Sequence, residues 1–154
     1  MKRMFVLVTA VLLTLISTRI PAQENRVGTF NRQAIVLAYY RSPLWAATLK
    51  QKRSELGEAK RADDTNKVEE LDAWFGKAQE MAHGQLWGNA DIGNVLEALR
   101  PAFAEIEKSD HVSSVVVAPA HDAPARSVDV TERLLDWLKA DETTRKMIRD
   151  LNQK

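Results

Sequence analysis

Residues 43–83 read PLWAATLKQKRSELGEAKRADDTNKVEELDAWFGKAQEMAH, and the reading of this stretch decides the fold. Trp45, Leu49, Lys52 and Leu56 recur at spacings of four, three and four. Val68, Leu71, Phe75, Ala78 and Ala82 repeat the pattern, so each half carries one seam at helical period. Between the halves, Arg61-Ala62-Asp63-Asp64-Thr65-Asn66 has no apolar anchor and several capping residues. Asn66 with Glu69 three places on fits a capping box. Two helices are expected, over 43–61 and 66–83, each roughly 28 Å long at 1.5 Å per residue. Equal arms with facing seams make an antiparallel helical hairpin over about 43–83.

Upstream, Arg26–Phe30 alternates as a short strand does, with Val27 and Phe30 as its larger apolar residues. Ala34–Tyr40 is ambiguous. Ile35, Val36, Tyr39 and Tyr40 favour a strand, whereas Ala34, Leu37, Ala38 and Arg41 fit one or two helical turns. Ser42-Pro43 then starts the first arm, serine as cap and proline where its missing donor costs nothing.

Downstream, His83-Gly84 closes the hairpin, and a loop around Leu86 and Trp87 ends at Gly88-Asn89. Ile92, Val95, Leu96, Leu99, Phe103 and Ile106 give a third helix, which Pro101 is expected to kink. Val112–Val117 is a strand whose run of Val115, Val116 and Val117 suggests burial on both faces. The 118–125 loop is expected to be exposed. Val128 and Val130 form a further strand, which leads into a helix carrying Leu134, Leu135 and Leu138. Asp141 starts a last helix with Met147, Ile148 and Leu151. The expected class is α+β, mostly helical, with a small sheet body and a projecting hairpin.

The first 22 residues set the compartment. Lys2 and Arg3 precede an apolar run from Met4 to Ile16, and Ile20-Pro21-Ala22 follows. This is the pattern of a secretory signal cleaved after Ala22, which leaves one domain over 23–154. The run is shorter than the about 20 residues of a membrane span. An uncleaved signal would instead anchor the protein to the inner membrane. The chain has 22 Lys and Arg against 21 Asp and Glu; without Lys2, Arg3 and Arg19 of the leader the net charge becomes −2. That near-neutral balance argues against nucleic acid or an anionic membrane as main partner. Cysteine is absent, so packing or assembly must hold the fold in an oxidising compartment.

No catalytic constellation stands out. His83, His111 and His121 have no metal-ligand spacing. Asp63-Asp64 and Glu69-Glu70 are adjacent pairs that diverge on a helix. Ser42 has no base nearby in sequence, and the six glycines form no phosphate loop. Neither a cofactor nor a small-molecule substrate is expected. Trp45, Trp74, Trp87 and Trp137 read mainly as core or assembly contacts, with Trp74 beside Phe75 available for a loose hydrophobic grip.

The order of elements resembles the Skp/OmpH family of extracytoplasmic chaperones. The resemblance rests on Arg26-Val27-Gly28-Thr29-Phe30-Asn31, on the helical arm, and on Ser127-Val128-Asp129-Val130-Thr131-Glu132-Arg133-Leu134-Leu135. Ala38–Ser42 and Asp141–Ile148 look like a short-armed, uncharacterised subgroup of the same layout. The arms here are shorter than the family's and the surface nearer neutral. The resemblance implies a periplasmic, non-enzymatic homotrimer that holds unfolded or envelope proteins. On that reading Trp45, Leu49, Leu71, Trp74 and Phe75 contact the client, and Val115, Val116, Val117, Val128 and Val130 join the chains. A thin sheet with little core of its own would need such assembly. The alternative is a structural or scaffolding envelope module with one fixed protein partner.

Overall fold

Strand β1 (Arg26–Phe30) is the middle strand of a three-stranded sheet in the computed structural model, which describes residues 26–118 and 125–153. The expected leader over 1–22, most of the 118–125 loop and His121 lie outside the described residues. β2 (Val112–Val117) and β3 (Ser127–Asp129) flank β1, and both run parallel to it. Gly28 is registered against Val115 and Val128, and Thr29 against Val116 and Asp129. A Cβ on Gly28 would lie 3.1 Å from Cγ2 of Val115, so glycine lets the three strands close at this rung. Parallel neighbours cannot be joined by a tight hairpin. The long helical stretch between β1 and β2 is therefore the crossover.

That stretch begins with α1 (Arg32–Arg41), which settles the ambiguous segment as helix. Ala34, Ile35, Val36, Ala38 and Tyr39 are all buried, on more than one side of the helix. Burial all round erases the one-sided seam by which a helix is read. Asn31 caps it, its Oδ1 accepting from the Ala34 amide at 3.0 Å. Ser42 then stands in extended backbone ahead of Pro43 and breaks the helix.

α2 (Pro43–Arg61) has the expected bounds, and α3 runs Thr65–Leu86. The cap of α3 is Asp64, whose Oδ1 accepts from the Lys67 amide at 3.0 Å, and not Asn66. The reason is the turn: Asp63 takes a left-handed conformation (φ 51°), and the Asp64 amide closes onto the Ala59 carbonyl at 3.0 Å. Aspartate tolerates that conformation, so α3 can start at once. The two helices pack on each other; Ala59 is the buried residue of α2, and Leu71 is buried on α3. α3 runs three residues past His83 because Gln85 is buried at its end.

α4 (Gly93–Asp110) continues through Pro101 and stops at His111, which is left-handed (φ 53°) and turns the chain into β2. α5 (Thr131–Trp137) and α6 (Glu142–Leu151) close the chain; Asp141 caps α6, accepting from the Thr144 amide at 2.7 Å. Phe30, Val95, Leu99, Ile106, Val130, Leu134, Leu135 and Ile148 belong to one core of sheet and helices. Phe30 stacks on Phe103 with ring centroids 6.0 Å apart.

This core corrects three expectations. The chain has a substantial core of its own, because α1, α4, α5 and α6 supply it rather than the sheet alone. The valine run is not buried on both faces: β2 is an edge strand, and Val116 and Val117 are each 39% exposed. Val130 is no strand residue and no assembly contact, since it is fully buried just before α5.

An aspartate at Val130 would be an unpaired charge in that core. Val130→Asp is expected to abolish the cooperative thermal transition of the isolated chain, followed by circular dichroism. Leu99→Ala is expected to lower stability by about 2–5 kcal/mol in urea unfolding.

Candidate functional site

An aromatic run begins where α1 breaks into α2. Ser42 Oγ donates to the Tyr39 carbonyl at 2.6 Å and accepts from the Trp45 amide at 3.3 Å. That double role folds the first turn of α2 back on the last turn of α1. Trp45 thereby meets Tyr40 edge-on at 5.0 Å and Tyr39 at 6.0 Å between centroids. From α3, Trp74 stacks on Trp45 at 6.0 Å with 24° between planes, and Phe75 meets Trp74 edge-on at 5.2 Å. Each such pair adds about 0.5–1.5 kcal/mol beyond burial. Lys52 Nζ lies 5.8 Å from the Trp74 ring centre and 2.8 Å from Glu55 Oε2. Lys52 and then Gln51, as hydrogen-bond donors, lower the Glu55 carboxyl below its ordinary range.

The five residues expected to contact a client therefore divide. Trp45, Leu49, Trp74 and Phe75 are half-buried, with the aromatics turned largely on one another. Leu71 is 1% exposed and unavailable to any partner. Of the expected assembly residues, Val115 and Val128 are partly buried against the core, and Val116 and Val117 are exposed.

Sequence reasoning passed over two exposed apolar residues of these helices and read a third, Trp87 at the end of α3, mainly as a core or assembly contact. Leu44, Met81 and Trp87 stand out, Trp87 at 55%. They lie at the start of α2 and the end of α3, the body end of the pair. One signal was available for Trp87: it follows the last residue of α3 and precedes Gly88, which is left-handed (φ 84°), so the seam has ended there.

A polar knot underlies the same end. Gln85 Oε1 accepts from the Tyr40 hydroxyl at 2.7 Å, and Nε2 donates to the Asp91 carbonyl and to Asn94 Oδ1, each at 2.5 Å. Arg32 Nε donates to the Gln85 carbonyl at 3.2 Å, and another of its nitrogens donates to the Ala90 carbonyl. Among the described residues no buried side-chain donor or acceptor lacks a partner.

A cleft of about 870 Å³ opens at the carboxyl ends of the strands, lined by Asn31, Thr131, Glu132, Arg145 and Arg149 among others. The five polar residues named are already paired. Asn31 caps α1, Thr131 Oγ1 accepts from the Asn31 amide at 3.0 Å, Arg145 pairs with Glu132 and Asp136, and Arg149 pairs with Glu142. His83 and His111 stand on separate elements, and no three metal-ligating side chains gather among the described residues. Asp63 and Asp64 form the α2–α3 turn, and Glu70 pairs with Lys67 at 2.9 Å. No helix among the described residues is long and apolar enough to cross a membrane. No family model, curated protein or solved structure matches the chain.

Burial raises the phenol pKa of both tyrosines, with the neighbouring Tyr40 adding to the shift of Tyr39 and a hydrogen bond with Asn94 partly offsetting that of Tyr40. The fold therefore favours the neutral phenols. Their contribution to stability is complete below about pH 10 and is lost as pH rises through the raised folded values. These are the only tyrosines in the sequence, so ultraviolet titration of phenolate reads this site alone. Both are expected to ionise at higher pH in the folded chain than in urea, and their own contribution to thermal stability is expected to be lost on the alkaline side.

Proposed function

We propose that this chain is an exported, non-enzymatic scaffolding module whose α2–α3 pair serves as a hairpin arm for a folded protein partner in the cell envelope. The observation that carries this reading is the mutual packing of the arm's aromatics. Holding an unfolded chain calls for a contiguous exposed apolar surface, whereas Trp45, Trp74 and Phe75 chiefly cover one another and Leu71 is enclosed. The pattern resemblance to Skp/OmpH supports a periplasmic location and an arm that engages other proteins. The contact surface on this reading is Leu44, Met81 and Trp87 at the body end, with the outer edges of Trp45, Leu49, Trp74 and Phe75 beside it.

The exposed Trp87 favours one second reading, the chaperone-like holding of unfolded envelope proteins. Pull-down from native envelope extract separates the two. A scaffold returns one dominant folded partner, and a holdase returns many. A holdase would also suppress aggregation of a denatured outer-membrane protein, which the scaffold is expected not to do. Trp87→Ala is expected to weaken partner binding by about tenfold or more, as a central aromatic contact does, with thermal stability unchanged. Equal binding by the variant would remove Trp87 from the surface.

Assembly through the sheet belongs to the same reading, with the trimer that the resemblance implies as its form. The supporting feature is β2: an edge strand without a charged residue or proline to guard it. Val116→Asp is expected to separate the chains while helix content stays intact. Light scattering that reports a stable monomer of the unaltered protein at micromolar concentration would overturn the assembly.

A further inference from the structure

We propose that the root of the α2–α3 pair is a locked joint keyed by Gln85, which holds the pair at one angle to the sheet body. Gln85 is 1% exposed in the last turn of α3. The seam of α3 up to that point is apolar, through Leu71, Phe75, Ala78 and Ala82. A leucine at 85 would continue it, so packing alone does not account for an amide there. Hydrogen bonding does. The side chain receives a bond from Tyr40 of α1, and donates to the Asp91 carbonyl and to Asn94 of α4. Its backbone carbonyl receives a second bond from α1, through Arg32. One residue thus ties α1, α3, the connection after α3 and α4.

The other exit of the pair is held separately. Ser42, 2% exposed, bonds to the Tyr39 carbonyl and caps α2. Two anchored exits leave no single pivot, and the Tyr40–Trp45–Trp74 contacts link the two, since Tyr40 bonds Gln85 and the Trp45 amide bonds Ser42. Gly84 lets the connection lie close, since a Cβ there would be 3.1 Å from the Ala90 Cβ. A buried amide with three bonds made resists a tilt that opens one of them, because its own donor or acceptor would be left unpaired in an enclosed position. The joint is independent of what the arm binds, so it stands or falls apart from the scaffolding reading.

The absence of cysteine makes the test direct. Spin labels at Lys60→Cys on α2 and Glu105→Cys on α4 report the arm-to-body distance in frozen solution. A second pair at Glu105→Cys and Lys139→Cys reports the body alone. The arm-to-body distribution is expected to be single and as narrow as the body control. Gln85→Leu, similar in size but without the hydrogen bonds, is expected to broaden it about twofold, as populations of distinct orientations do, while the body pair stays unchanged. Tyr40→Phe, which removes one hydroxyl, is expected to broaden it less and serves if Gln85→Leu fails to fold. A broad arm-to-body distribution in the otherwise unaltered chain overturns the joint. So does a folded Gln85→Leu, or Tyr40→Phe in its place, with the distribution still narrow.

Discussion

The fold depends on the pairing of one five-residue strand, β1, with two strands that come much later in the chain. Both neighbours are parallel to β1, so neither can be reached by a tight turn. Closing such contacts carries a loop entropy that grows only slowly with length, and long-range pairing of this kind slows folding more than it weakens the result. The Asn31 amide on the Thr131 hydroxyl, across 100 residues, joins the end of β1 to the start of α5. Gly28 permits the closure, and the core helices stabilise it by covering Phe30 and Val130.

Two kinds of contact attach the helical pair to this body. The aromatic run from Tyr39 to Phe75 is apolar and tolerant of small shifts, as ring contacts at 5–6 Å are. The Gln85 knot is directional, since each bond has a fixed partner and the amide itself is enclosed. Together they bring the apolar side chains of the arm inward and leave Leu44, Met81 and Trp87 at its base.

The elements with one-sided burial were legible in the sequence. α2 has the expected bounds, the strands β1 and β2 lie where alternation and the valine run placed them, and Asp141 caps α6. α1 was not legible, because burial on several sides removes the periodic signal while its β-branched and aromatic residues point to a strand. The cap of α3 was misplaced for a local reason: Asn66 with Glu69 is a good box, but left-handed Asp63 brings Asp64 into position first. At the candidate site, spacing marked Trp45, Leu49 and Phe75 as seam residues and Trp74 stood beside them, whereas Leu71 and Val130 were assigned to surfaces that their burial denies them.

By itself the sequence determined the two long amphipathic helices, the turn between them and the strand segments, because each is set by near neighbours and a repeating period. Tertiary structure alone decided the parallel direction of the strands, the edge position of β2, which seam residues are enclosed, and the meeting of Gln85 with Tyr40 and Asn94. Those features join residues far apart along the chain, or depend on which of several apolar faces wins the core. No local pattern carries that choice.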